Sequence, residues 1–267
     1  MKSTERSEAS IDYSIVDRPE ILQLLFYPRK DWEPPPSHVV DYVIPVDEDV
    51  SVSCRFYSCN SDAPTILYFH GNGEIASDYN WTAPAYTSVG INLFVADYRG
   101  YGSSTGSPTF FNMIKDANTI FDFFQKLLHS EGYSKDVYVM GRSLGSHSAV
   151  EILSHNQDQI RGLILESGFA DISRLLSRLS NLEDSSRLEE IESAHMAKIR
   201  AITLPVLIIH GDCDELVPPA QAFHFHENVG AEDKRLVTIS GAGHNDIMAV
   251  GQEQYFQAIK DFLFPLR

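Results

Sequence analysis

The sequence predicts an α/β protein with a mostly parallel, doubly wound sheet behind an N-terminal antiparallel hairpin. Short, continuous apolar runs alternate with stretches of helical period, which is typical of parallel strands covered by helices on both faces. A segment of alternating pattern comes before this βα order, and it has the form of a hairpin. The predicted parallel strands are 63–70, 91–98, 136–141, 161–167, 204–211 and 235–240.

The hairpin is predicted from two strand-like runs that flank the acidic turn Asp47-Glu48-Asp49. The first run is "SHVVDYVIPV" and the second is "VSVSCRFYS". Sheets that continue as parallel βα units place their active sites at the carboxyl ends of the strands. We therefore look for functional residues directly after each predicted strand.

The helices are predicted from apolar residues spaced by three and four positions. The clearest is 109–129, and others lie near 146–155, 218–228 and 249–264. The segment from about 170 to 203 contains no strand and breaks the alternation. Its apolar stripe and the charged stretch after it predict either a small helical lid or an ordinary pair of surface helices.

Length and composition predict one domain over residues 1–267, with 1–37 as an extension and connector that ends in the Pro-rich "DWEPPPSHVV". The chain has 21 Lys and Arg against 37 Asp and Glu, a formal net charge of −16. Nucleic-acid binding requires basic surface, so we expect no nucleic-acid partner. No apolar run reaches the length of a transmembrane helix. Three sparse cysteines, without zinc spacing, favour a cytoplasmic protein with no metal.

Two serines match the pattern Gly-x-Ser-x-Gly, and the surrounding pattern favours one of them. A nucleophile elbow needs a strand that ends at the serine and a helix that begins directly after it. Ser143 follows the strand "DVYVM" and precedes "SHSAVEIL". Ser104 lies seven residues beyond its strand, and Pro108 prevents a helix from beginning at once. We predict Ser143 as the nucleophile.

A serine nucleophile needs a histidine base and an acid, which follow it along the chain in this kind of sheet. His244 lies in a glycine-containing loop after the last predicted strand, and we predict it as the base. His147 should point away from Ser143, because it lies on the helix that leaves the elbow. His224 and His226 lie on a helical stretch, which predicts surface residues, and His210 ends a core strand, which predicts a packed residue. For the acid, Asp214 is favoured over Asp212, and Glu166 and Asp171 are held in reserve.

A tetrahedral intermediate also needs two main-chain N–H donors. The residue after the nucleophile supplies one, which here is Leu144. The loop "YFHGNGEI" opens into glycines after an early strand, and we predict the main chain of Asn72 as the second donor.

Together these segments resemble the α/β-hydrolase superfamily from about residue 38 to the end, and within it the serine hydrolases of the Bem46 type. The motifs that carry the resemblance are "FHGNG", "DYRGYGSSTGSP", "GRSLGS", "LILESGF", "HGDCDELVP" and "GAGHND". The resemblance implies the α/β-hydrolase fold, with the acid four residues after His210, which is Asp214. It also implies that the loop around Ser104 is a family feature and not the nucleophile.

These observations predict a serine hydrolase, without cofactor or metal, that cleaves a carboxylic ester or thioester of a small or medium acyl substrate. The predicted course is an acyl-enzyme mechanism, with Ser143, Asp214 and His244 as the triad. Two alternatives stay open: an amide or peptide hydrolase, and a ligand-binding or receptor protein that keeps the fold without turnover. The sequence leaves the oligomeric state undefined.

Overall fold

The computed structural model describes residues 11–171 and 185–265. Within these residues, eight strands form one sheet in the order β1-β2-β4-β3-β5-β6-β7-β8. The strands are β1 Val39–Asp47, β2 Val50–Tyr57, β3 Thr65–Phe69, β4 Asn92–Ala96, β5 Val137–Arg142, β6 Gly162–Glu166, β7 Val206–Gly211 and β8 Lys234–Ile239. The helices are α1 Pro19–Leu25, α2 Ala83–Ser88, α3 Phe110–Ser130, α4 Gly145–Asn156, α5 Ser185–Ala201, α6 Ala220–Asn228 and α7 Ile247–Leu263.

The predicted sheet and hairpin are confirmed. β1 pairs antiparallel with β2, and β2 pairs antiparallel with β4. Every pair from β4 through β8 is parallel. The carboxyl ends of β3, β5, β6, β7 and β8 therefore meet along one edge, which is where the predicted functional loops leave the sheet.

Helices cover both faces of the sheet, which explains why the strands are apolar along their whole length. Alternate residues of β3 separate the two cores. Leu67 and Phe69 pack in the cluster that contains Phe124 of α3 and the N-terminal helices. Ile66 and Tyr68 pack in the cluster that contains α2 and α7. Each face buries its own apolar layer, so the sheet is fixed from both sides.

The N-terminal extension is part of the domain. Ile15, Val16, Ile21 and Leu25 are buried in the same core as α3. The carboxylate of Asp17 accepts hydrogen bonds from two N–H groups at the start of α3, which no helical partner can satisfy. These bonds attach the residues just before α1 to the start of α3.

The segment from about 170 to 203, predicted as a lid or as a pair of surface helices, is described only in part. Its apolar stripe, which begins at Ile172, lies outside the described residues. The remainder forms α5, whose Leu188, Ile191 and Ile199 are buried in the main core. No described helix combines the length and the apolar character needed to cross a membrane.

Candidate active site

Ser143 lies at the tight turn between β5 and α4, as the sequence predicts. Its φ is +50°, a left-handed conformation that is uncommon for residues other than glycine. Gly145 makes this turn feasible, because a Cβ there would lie 2.1 Å from the Phe69 carbonyl oxygen. The turn lifts the serine hydroxyl above the end of the sheet while α4 begins directly behind it.

The structure brings Ser143, His244 and Asp214 into one chain of hydrogen bonds. His244 Nδ1 lies 2.8 Å from Asp214 Oδ2, and His244 Nε2 lies 2.9 Å from Ser143 Oγ. A carboxylate only accepts, so Nδ1 carries the proton and donates to Asp214. Nε2 of the neutral ring is then free to accept the hydroxyl proton of Ser143. All three residues are buried, although they come from three different loops.

Asp214 is held by its own loop and stays ionised. Its Oδ1 accepts hydrogen bonds from the N–H groups of Leu216 and Val217, at 3.0 and 2.7 Å. Burial alone would raise the pKa of Asp214, but the hydrogen bonds from His244 and from the Val217 N–H outweigh it and lower the pKa below its ordinary value. A carboxylate in this position fixes the tautomer of His244 and stabilises its protonated form.

His210 supports the acid loop from below. It is buried, and its Nε2 donates to the Val217 carbonyl oxygen at 2.8 Å. Burial lowers the pKa of His210, which keeps this ring neutral beside Asp214. The sequence suggested only a packed histidine here. The structure adds that it closes the turn from which Asp214 projects.

The structure excludes the other acids from this role. Both carboxylate oxygens of Asp212 bond to the turn after β8, to the Gly241 N–H and the Ser240 hydroxyl. Glu166 accepts from Arg142 and Tyr255, on the far side of the elbow. Asp171 lies five residues after the end of β6, where its N–H donates to the Gln221 side-chain oxygen at 3.0 Å.

Ser104 is a structural residue. Its buried Oγ accepts the Ser53 N–H at 2.8 Å, so it ties the glycine-rich loop to β2. Among the described residues, no histidine contacts this hydroxyl. Its match to the serine motif therefore reflects a loop rich in glycine, and Ser143 alone has a base beside it.

His147 points away from Ser143, as predicted, but it is fully buried. Its ring stacks on Phe169 and lies 4.7 Å from the ring of His195 on α5, centroid to centroid. Neither ring nitrogen of His147 has a hydrogen-bond partner in the described part of the chain. Burial lowers the pKa of both histidines, to about 4 for His195, so both are neutral.

The loop after β3 lies against the elbow, where the second oxyanion donor is needed. A Cβ at Gly71 would lie 2.4 Å from Arg142 Nη1, so the loop closely approaches β5. In residues 11–171 and 185–265, the N–H groups of Asn72 and Leu144 have no acceptor. Neither N–H is thus occupied by an acceptor in the described protein, as the prediction of these two donors requires.

The side chain of Asn72 is locked by the N-terminal segment, which the sequence did not indicate. Its Oδ1 accepts from the Tyr27 N–H at 2.7 Å and from the Tyr101 hydroxyl at 2.6 Å. Its Nδ2 donates to the Leu25 carbonyl oxygen at 3.0 Å. These three bonds fix the peptide that presents the Asn72 N–H.

Over the described ranges, no three His, Cys, Asp or Glu side chains come close enough together to hold a metal ion. The described hydrogen-bonded chain consists of a serine, an imidazole and a carboxylate.

The comparison with protein families agrees with this geometry. The model of the family described as serine aminopeptidase, S33, an α/β-hydrolase family, matches residues 61–186 and 186–248. The chain is an α/β-hydrolase. The resemblance inferred from the motifs is confirmed, and the matched range contains every residue of the Ser143–His244–Asp214 chain.

Relatives of this α/β-hydrolase include two curated eukaryotic proteins. Protein bem46 of Schizosaccharomyces pombe is 34% identical over 204 residues, which are 75% of this chain and 67% of the relative. The human alpha/beta hydrolase domain-containing protein 17B is 29% identical over 219 residues, which are 79% of this chain and 70% of the relative.

Solved structures share the fold at low sequence identity. The Pyrococcus furiosus esterase Pf2001 has a TM-score of 0.71 at 20% identity, covering 88% of this chain and 97% of its own. Est1E from Butyrivibrio proteoclasticus, solved with ferulic acid bound, has a TM-score of 0.66 at 20% identity, covering 84% and 97%. These similarities establish the fold of this hydrolase.

Proposed function

We propose that this protein is a serine hydrolase that cleaves carboxylic esters or thioesters of small or medium acyl groups. The observation that carries the proposal is the continuous hydrogen-bonded chain from Ser143 Oγ through His244 to Asp214. A hydroxyl that already donates to a neutral imidazole needs only a carbonyl carbon within reach to act as a nucleophile. Membership of a hydrolase family supports the same reaction class.

The proposed reaction has two halves. Ser143 Oγ attacks the acyl carbonyl carbon while its proton passes to His244 Nε2, and Asp214 stabilises the imidazolium. The N–H groups of Asn72 and Leu144 hold the oxyanion. His244 then delivers the proton to the leaving alcohol or thiol. Water, deprotonated by His244, releases the acid and regenerates the serine.

A second candidate reaction is the cleavage of amide or peptide bonds, and the description of the matching family favours including it. An amide differs from an ester in its leaving group, which must be protonated as it departs. A panel of ester, thioester and amide substrates with one common acyl group separates these reactions by their kcat/KM values.

The first test is covalent labelling with a fluorophosphonate, followed by peptide mapping. We expect one adduct per chain at Ser143, and no adduct in His244→Ala. Ser143→Ala should lower kcat by on the order of 10⁴-fold or more. Ser104→Ala is the matched control, because it removes a buried serine hydroxyl of the same motif and should leave kcat nearly unchanged.

Three results would contradict the proposal. An adduct at Ser104 would show that Ser143 is not the nucleophile. If Ser143→Ala kept most of the activity, Ser143 could not be the nucleophile and the proposal would fail. Binding of an acyl compound without multiple turnover would favour a receptor on the same fold. The cytoplasmic location, the small-molecule substrate and the absence of a nucleic-acid partner stay predictions from the sequence.

A further inference from the structure

The guanidinium of Arg142, the residue directly before Ser143, joins two loops and the end of β6 at the carboxyl edge of the sheet. Its side chain is only 9% exposed. Nε donates to Glu166 Oε1 at 3.1 Å, and Nη1 donates to Glu74 Oε1. Nη2 donates to the His244 carbonyl oxygen and to Asn245 Oδ1, both at 2.9 Å. One side chain thus contacts the last residue of β6 and the loops that follow β3 and β8.

The loops that follow β3 and β8 carry groups of the proposed reaction. Arg142 bonds to the main chain of His244 itself, so it sets the position from which the imidazole projects. On the other side, Glu74 Oε2 accepts the Gly71 N–H at 2.7 Å. Gly71 precedes Asn72, so the same guanidinium is linked through Glu74 to the peptide that presents the predicted oxyanion donor.

The carboxylates that face Arg142 are themselves oriented. Tyr255 donates its hydroxyl to Glu166 Oε2 at 2.7 Å, and Tyr79 donates to Glu74 Oε2 at 3.0 Å. A planar guanidinium can serve acceptors in several directions at once, whereas an ammonium is a compact point charge. The arrangement therefore matches the planar fork of an arginine and not the single ammonium of a lysine.

We propose that Arg142 is a positioning residue, which holds the His244 main chain and the Asn72 loop in register with Ser143. This inference rests on the proposed function, and it adds a residue outside the triad and the oxyanion donors. Arg142 does not touch the reacting atoms, since its guanidinium bonds to the carbonyl of His244 and not to its ring.

The structure offers a direct test, because Arg142 borders a cavity of about 210 Å³. The cavity is also lined by Tyr68, Thr82 and Met248. In Arg142→Ala, a free guanidinium ion can enter through it and occupy the place of the missing side-chain head between Glu74 and Glu166.

The experiment measures ester hydrolysis by Arg142→Ala with and without guanidinium chloride at concentrations below those that affect folding. We expect kcat to fall on the order of 10²-fold with little change in KM, because a positioning defect weakens the transition state and not substrate binding. Guanidinium should restore a large part of the loss. Urea, which has the same shape without the charge, should restore none.

Arg99→Ala is the matched control. Arg99 is also buried, and it donates two hydrogen bonds to Asp116 at 2.6 and 2.8 Å. Its loss should destabilise the fold but leave kcat of the folded enzyme unchanged, with no effect of guanidinium. An equal kcat loss in both variants, or no guanidinium rescue of a folded Arg142→Ala, would overturn the proposal.

Two further measurements keep the inference testable in other cases. If Arg142→Ala does not fold, Asn245→Ala removes a single acceptor of Nη2 and should lower kcat by a smaller factor. Wild-type kcat in Asn245→Ala together with wild-type kcat in Arg142→Lys would refute the proposal. A proton NMR spectrum reports the His244 Nδ1–H resonance without any substrate.

The NMR measurement separates this inference from the proposed function. We expect the resonance to shift or broaden in Arg142→Ala and to recover with guanidinium, even if no substrate is turned over. A resonance identical to that of the wild type would overturn the positioning role and leave the proposed hydrolysis intact.

Discussion

The side chain of Asn72 provides a test of the predicted oxyanion site that the structure makes quantitative. Asn72→Ala keeps the main-chain N–H but removes the three hydrogen bonds to Tyr27, Tyr101 and Leu25. At about 1 kcal/mol for each bond, the locked position of the loop loses on the order of 3 kcal/mol. If that free energy orients the N–H in the transition state, kcat falls on the order of 10²-fold.

The assay compares kcat for a short-chain ester, normalised by the concentration of sites that a fluorophosphonate labels, with thermal unfolding of the same sample. Asn92→Ala is the matched control. Asn92 is fully buried and bonds to the Cys59 N–H at 2.8 Å and to the Asn60 carbonyl oxygen at 2.8 Å. It begins β4, at the opposite edge of the sheet from Ser143. It should lose stability without losing kcat.

The result that would refute this reasoning is specific. If Asn72→Ala loses stability as Asn92→Ala does but keeps kcat within about twofold, the three bonds serve the fold and not the transition state. The second oxyanion donor would then have to be sought elsewhere.

Two more predictions follow from packing and from burial. Gly145→Ala should lower stability by about 1–3 kcal/mol and also lower kcat, because its Cβ would overlap the Phe69 carbonyl and displace the elbow. Gly162→Ala, whose Cβ would meet Phe262 at the far edge of the sheet, should lower stability alone. Equal kcat losses in the two variants would contradict this prediction. The free energy of unfolding should decrease as the pH is lowered from about 6.5 to 4. The reason is that His195 takes up a proton near pH 6.5 when unfolded but has a folded pKa of about 4. The neutral ring is favoured by folding, so the full contribution is present above pH 6.5 and is lost by up to about 1.4 kcal/mol per pH unit as the pH falls. His195→Gln should flatten the curve measured by urea unfolding, and parallel curves for the two proteins would show that the buried ring is not the cause.

Much of the fold was predictable because its signals are local. A strand buried on both faces is apolar throughout, and a helix that covers it repeats every three to four residues, so each element can be recognised within a short window. The role of the segment from about 170 to 203 could not be predicted in this way. Its described part, α5, is anchored in the main core by Ile191 and Ile199, and that contact joins segments far apart in sequence.

The candidate site was predictable where chemistry and local geometry coincide. Ser143 needs a strand before it and a helix after it, and both are visible in the sequence. The choice between Asp212 and Asp214 was different, because both follow the same strand. The sequence favours Asp214, and the family resemblance implies it; the bonds of Asp212 to the turn after β8, and of Asp214 to His244, give the physical reason.

The sequence by itself determined the order of strands and helices, the elbow at Ser143 and the loops that carry the base and the acid. These depend on burial and turn geometry, which act on neighbouring residues. Tertiary structure alone decided that Arg142 joins the loops after β3 and β8 to the end of β6, that Tyr27 and Leu25 lock Asn72, and that Ser104 bonds to β2. Each of these is a hydrogen bond between residues brought together by folding, and no pattern within a short window of sequence encodes such a partner.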